Sequence, residues 1–184
     1  GRVQSIWIAP ALTAWTTSNL SQITGAPTLV GGLTTYVTSY DAVNIVGTDT
    51  TGNLVTTWWL PSFGGDWVKS DLTSLFGGPK LEAASVTSYV TPWDGTNIAG
   101  IEADGTVTVY WWAPGLGGNW VVSRLSQLIV GATPMVGSVR GFTSPTGFIN
   151  LVGASAEGDV LRYFWNPSTD TWLPENLTQV AEPG

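Results

Sequence analysis

Residues 106–125 read TVTVYWWAPGLGGNWVVSRL. A run of β-forming residues ends in a Trp pair, Trp111 and Trp112. A turn follows at Pro114 and Gly115, and a single tryptophan, Trp120, opens a second run that stops at Leu125. The same text recurs, varied, as VQSIWIAPALTAWTTSNL at 3–20, LVTTWWLPSFGGDWVKSDL at 54–72 and VLRYFWNPSTDTWLPENL at 160–177. The single tryptophan falls at Trp15, Trp67, Trp120 and Trp172, in steps of 52, 53 and 52. The turn proline falls at Pro10, Pro61, Pro114 and Pro167, in steps of 51, 53 and 53. A fixed period of this size is the mark of a repeat architecture.

Between the copies lie seams at Gly25-Ala-Pro27, Gly78-Pro79 and Gly131-Ala-Thr-Pro134. They divide a single domain into a half repeat, 1–24, and full repeats at 25–77, 78–130 and 131–184. Alternation and turn residues predict four strands per full repeat. These are 34–39, 44–48, 54–60 and 67–71, then 83–90, 97–102, 107–113 and 120–125, then 135–142, 148–154, 160–165 and 172–177. The half repeat holds only the last two strands, near 2–9 and 14–20. Asp104-Gly105 predicts a type I′ hairpin, in which both central residues have positive φ. No stretch has the apolar period of a helix.

Four short antiparallel strands every 52–53 residues describe an all-β chain of β-propeller blades. Blades are covered on both faces by their neighbours, which explains apolar runs such as Val109-Tyr110-Trp111-Trp112. The Trp pairs are therefore read as packing between blades, with a ligand platform as the alternative. About three and a half blades is an incomplete ring, since propellers have four to eight blades. Bare blade faces would be large apolar patches. The expectation is an assembly: a homo-oligomer, at least a dimer, or this chain with the remainder of a longer one.

The repeats resemble a known group. An Ala-Pro seam and an alternating first strand precede Gly47-Thr-Asp49, Trp58-Trp59 and, after a turn, Trp67. This order resembles tectonin-type repeats and the bacterial propeller lectins built from them. The resemblance covers essentially the whole chain and implies a propeller fold and sugar binding. Pro61, Pro114 and Pro167 stand where such repeats have Asp-Gly, and no sugar-binding residue carries over directly.

Composition narrows the classes. The 184 residues include no Cys and no His, so there is no disulfide, no thiolate and no imidazole base or ligand. Charged residues make up 10% and the net charge is −7, which disfavours nucleic acid. No apolar run reaches the ~20 residues of a membrane-spanning helix. No signal peptide is visible, and the start at Gly1 rather than methionine suggests processing or an engineered start. The absence of Cys, with many Thr, Ser and Gly, fits a secreted bacterial module. A glycosidase needs two carboxylates about 5–10 Å apart; the acids here are scattered over turns. Ser168-Thr-Asp170-Thr-Trp172 only brushes the Asp-box pattern, and no loop suits Ca²⁺. The expectation is a non-catalytic module without cofactor or metal, binding glycans, or else a structural or protein-interaction segment of a larger repeat protein.

Candidate binding residues stand at the corner between the first two strands. Trp93 is the one tryptophan outside the repeated set; its counterparts are Tyr40 and Thr146. An aromatic face beside Asp94 and Asn97 suits the C–H face of a pyranose, with polar neighbours for its hydroxyls. Tyr40, Asp41 and Asn44 form the matching set one repeat earlier. The structural alternative is that the Asp and Asn residues simply build the corner.

Overall fold

A computed structural model describes residues 1–8 and 12–181. The expected turn at Pro10, and Ala9 at the end of the first expected strand, lie outside the described residues. Among the described residues, fourteen strands form one two-stranded and three four-stranded antiparallel sheets. β1 (Gln4–Trp7) and β2 (Thr16–Asn19) make the half blade. Blade one is β3 (Leu29–Val37), β4 (Val43–Asp49), β5 (Leu54–Trp59) and β6 (Trp67–Asp71). Blade two is β7 (Thr87–Val90), β8 (Thr96–Ile101), β9 (Val107–Trp112) and β10 (Val121–Arg124). Blade three is β11 (Val136–Thr143), β12 (Ile149–Ala154), β13 (Val160–Asn166) and β14 (Thr171–Asn176). Each sheet is a meander in chain order, and the first strands β3, β7 and β11 lie side by side.

The core sits in the seams between blades. Tyr36, Val46, Leu54 and Leu72 of blade one meet Leu81, Val86, Ile98 and Tyr110 of blade two. Tyr89, Ala99, Val109 and Leu125 of blade two meet Met135, Val139, Leu151 and Tyr163 of blade three. A smaller cluster, Val3, Leu20, Leu29 and Val55, joins the half blade to blade one. Close packing fixes some glycines: a Cβ on Gly78 would lie 2.1 Å from the Tyr110 hydroxyl, and one on Gly141 would lie 2.4 Å from the Tyr89 ring across the seam.

Three readings need correction. First, each fourth strand runs into a single helical turn: α1 (Leu20–Thr24), α2 (Leu72–Phe76), α3 (Leu125–Leu128) and α4 (Leu177–Ala181). These turns are too short to show a helical period. Their signature is a recurrent Leu-Ser/Thr, preceded by Asn19, Asp71 and Asn176 in three copies and by Arg124 in the other. The Asn19 and Asp71 side chains accept from the Gln22 and Ser74 amides, capping α1 and α2. Leu20, Leu72 and Leu125 are buried. The next hydroxyl, on Ser21, Thr73, Ser126 or Thr178, accepts a backbone N–H from Val3, Leu54, Val107 or Val160 in the third-strand segment.

Second, Asp104-Gly105 is not a type I′ turn. Gly105 alone has positive φ, 86°, and its N–H donates to the Glu102 carbonyl. Ala103 and Asp104 form an ordinary turn and Gly105 takes the left-handed step after it. Third, two first strands begin elsewhere: β7 starts at Thr87 rather than at Ala83, and β3 starts at Leu29 rather than at Thr34, pairing with β4 on both sides of a register shift between Val30 and Thr34. Gly31 sits in that shift at φ 76°, where a Cβ would fall 2.0 Å from the Ala83 carbonyl oxygen.

Candidate functional site

The strand-three Trp pairs turn opposite faces outward because successive strand side chains alternate. Trp58 faces blade two and Trp112 faces back toward blade one; both line one pocket of about 510 Å³. Trp111 and Trp165 do the same one seam later, in a pocket of about 330 Å³. The pairs are half-buried, so the expected packing role is only part of the account. Trp111 and Trp165 also pack against the core between blades two and three. The first indole of each pair is fixed by a serine on strand four: Trp58 donates to Ser70 at 3.2 Å and Trp111 to Ser123 at 3.1 Å. Trp112 donates instead to the Gly117 carbonyl, and Trp165 to the Asp170 carboxylate at 3.2 Å. Gly117 and Asp170 share a left-handed backbone, φ 63° and 52°. The Asp-box-like segment thus supplies a carboxylate where the earlier copy supplies a peptide oxygen.

The corner between strands one and two closes each pocket. Tyr40 reaches Trp112 edge-to-face with ring centroids 6.4 Å apart, and Trp93 reaches Trp165 at 5.4 Å. Asn44 lines the first pocket and Asn97 the second. Each amide donates to a corner carbonyl at 3.2 Å, Asn44 to Ala42 and Asn97 to Gly95. The corner role is therefore real for the N–H₂ group of each residue.

Asp41 and Asp94 line neither pocket. They hold the left-handed corner position, φ 62° and 63°, that Gly147 holds in blade three at 87°. Of the six candidates, Tyr40 and Asn44 come together in one pocket and Trp93 and Asn97 in the other, while the two aspartates shape the turn.

Residues the sequence reading passed over complete the walls. Ser70, Thr56 and Thr96 line the first pocket, and Trp120 and Trp172 stand at equivalent places in the two. Period-two alternation on strand three carried the signal, since Thr56 and Trp58 share a face. Burial, then the neighbouring Tyr40 hydroxyl, push the Tyr36 phenol far above its ordinary pKa, so this wall residue stays neutral. The first lining carries no charged side chain and the second only Asp170.

The outer face of blade three repeats one half of this geometry as a groove of about 520 Å³. Phe142, Thr146 and Asn150 stand there, 53 residues after Tyr89, Trp93 and Asn97. Arg162 stands 53 residues after Val109. Its guanidinium donates to Asn150 at 2.8 Å and to Glu175 at 2.9 Å, and lies 4.4 Å from the Phe164 ring centroid. Phe142 is 52% exposed where the equivalent Tyr89 is 6%. At the other end Trp15 is 67% exposed, whereas Trp67, Trp120 and Trp172 pack against the seam clusters.

No protein-family model matches the chain, and no curated protein matches it. Solved structures do. A fucose lectin from Kordia zhangzhouensis, in complex with methyl-fucoside, matches over 78% of this chain and 97% of its own, at TM-score 0.53 and 16% identity. The fold is that of the β-propeller lectins. The chain is similar, at TM-score 0.62 and 13% identity, to an arginine-to-alanine variant of AofleA from Arthrobotrys oligospora. It is also similar to SapL1 lectin in complex with alpha methyl fucoside, at 0.55 and 17%. It covers 41% and 55% of those two chains, about half of each. Among the described residues no helix is long and apolar enough to cross a membrane.

Proposed function

We propose that the chain is a non-catalytic carbohydrate-binding module whose sites are the pockets between blades. One observation carries the reading: the same aromatic-walled pocket, with one asparagine at its corner, recurs at successive seams. Stacked aromatic faces suit the apolar side of a pyranose, and a few fixed polar groups orient its hydroxyls. Tyr40, Asn44, Trp58 and Trp112 serve the first pocket; Trp93, Asn97, Trp111 and Trp165 serve the second. The neighbours' bound fucosides make α-methyl fucoside the first ligand to try. A glycan array followed by calorimetry tests the reading. Binding that is lost in the Tyr40→Ala/Trp93→Ala double variant, at an unchanged melting temperature, supports it. No retention of any glycan overturns it and favours a structural segment of a larger repeat protein.

The open faces support a second step. The groove on blade three presents the same residue positions that are covered inside, and the half blade presents Trp15, the residue type that covers them. We propose that a second copy seats its β1–β2 face there, head to tail, so that two chains complete one ring. Sedimentation at micromolar concentration tests it: a dimer that Trp15→Asp dissolves supports the closure, and a compact monomer overturns it.

A further inference from the structure

The two internal pockets share a frame but not a floor. Where the first has Thr56 and Thr96, the second has Val109 and Ile149, each 53 residues later. Thr56 and Thr96 are 3% and 2% exposed, and neither hydroxyl has a hydrogen-bond partner. Buried hydroxyls are normally satisfied, so two unpaired ones on residues lining one cavity call for an explanation. Rotation about a single Cα–Cβ bond turns each toward the cavity its residue lines. The second pocket has two aliphatic side chains there, with Leu125 beside them, and is smaller. It also carries a carboxylate, that of Asp170.

We propose that the two pockets select different sugars, on the reading that both bind carbohydrate. The pocket between blades one and two takes a ring with a hydroxymethyl or hydroxyl group directed at Thr56 and Thr96. The pocket between blades two and three takes a deoxy ring that sets a methyl group against Val109 and Ile149. The chemistry is a desolvation balance. An unpaired threonine hydroxyl gains a partner from the ligand's hydroxyl and none from a methyl group. An aliphatic floor gains contact with a methyl group and strips water from a hydroxyl without replacing it.

Two ligands that differ only at C6 separate the cases: the α-methyl glycosides of L-fucose and L-galactose. Titration followed by the indole N–H signals of Trp58 and Trp111 reads each pocket on its own. The second pocket is expected to prefer the fucoside by about tenfold, the low end of what one such group supplies. The first is expected to show no such preference or to favour the galactoside. Exchanging the floors by Thr56→Val/Thr96→Ile should give the first pocket the fucoside preference, and Val109→Thr/Ile149→Thr should remove it from the second. The same preference in both pockets, or a preference unmoved by the exchanges, overturns the division while leaving the lectin reading in place. Failure of both glycosides to bind either pocket overturns the division and removes the lectin reading's first ligand.

Discussion

Two buried tyrosines should respond with opposite sign to loss of the same oxygen. Tyr110 is fully buried, and its hydroxyl donates to the Pro79 carbonyl at 2.7 Å and lies 3.2 Å from the Thr73 hydroxyl. Tyr110→Phe leaves the Pro79 carbonyl without that donor, at a cost of about 1–3 kcal/mol. For a chain of this size each kcal/mol moves the midpoint by roughly 2–4 °C, so the melt should fall by about 2–12 °C. Tyr89 is equally buried, but its hydroxyl has no partner. Burial alone pushes its pKa far up, with no hydrogen bond to offset it. Tyr89→Phe removes an oxygen that was desolvated for nothing, so stability should hold or rise. Paired urea and thermal unfolding of the two variants decides the matter. Equal losses would refute the reasoning, since they would mean that the ring environment rather than the hydrogen bond sets the cost.

Gly78→Ala should destabilise by about 1–3 kcal/mol, because the new methyl group meets the Tyr110 hydroxyl. Gly32→Ala, with nothing within 4 Å, is the matched control in the same urea titration. Asp41→Gly should change stability by less than about 1 kcal/mol and leave glycan affinity alone, since its left-handed backbone suits glycine. A large affinity loss in calorimetry would return the carboxylate to the binding site. Burial opposes ionisation of Asp49, but the Thr51 hydroxyl and amide and the Asn53 amide outweigh it and hold the carboxyl below its ordinary value. A lowered folded-state pKa stabilises above the unfolded value, about 3.9, and that contribution is lost as pH falls further. Asp49→Asn should therefore flatten the acid limb of a stability-versus-pH curve below about pH 4, and an unchanged limb would count against this role.

The period was legible because the tryptophans and turn prolines must recur for seams to repeat. Strand order followed from it, since consecutive short strands with tight turns can only meander. The one-turn helices were not legible as helices: four or five residues cannot show a 3.6-residue period, and their Leu-Ser/Thr text reads as a strand end. The half-burial of the Trp pairs was hidden for a different reason. Trp111 and Trp112 are adjacent in the chain but point to opposite seams, so each belongs with residues some fifty positions away. Asn44 and Asn97 drew attention for their amides, although the N–H₂ groups are spent on the corner. Alternation puts Thr56 on the face of Trp58, but nothing further in the sequence marks Thr56 or Thr96, because a threonine in a strand is ordinary until its hydroxyl is seen to lack a partner.

Because Trp111 and Trp112 serve two seams, the two pockets are spaced by one rigid blade rather than by a linker. On the carbohydrate reading, a surface that displays both kinds of glycan end can engage both pockets at once without ordering any chain segment. The second contact then forms at a high effective concentration, and apparent affinity rises well above that of either pocket alone. On that reading the scaffold would discriminate by the density of glycan ends as well as by their chemistry.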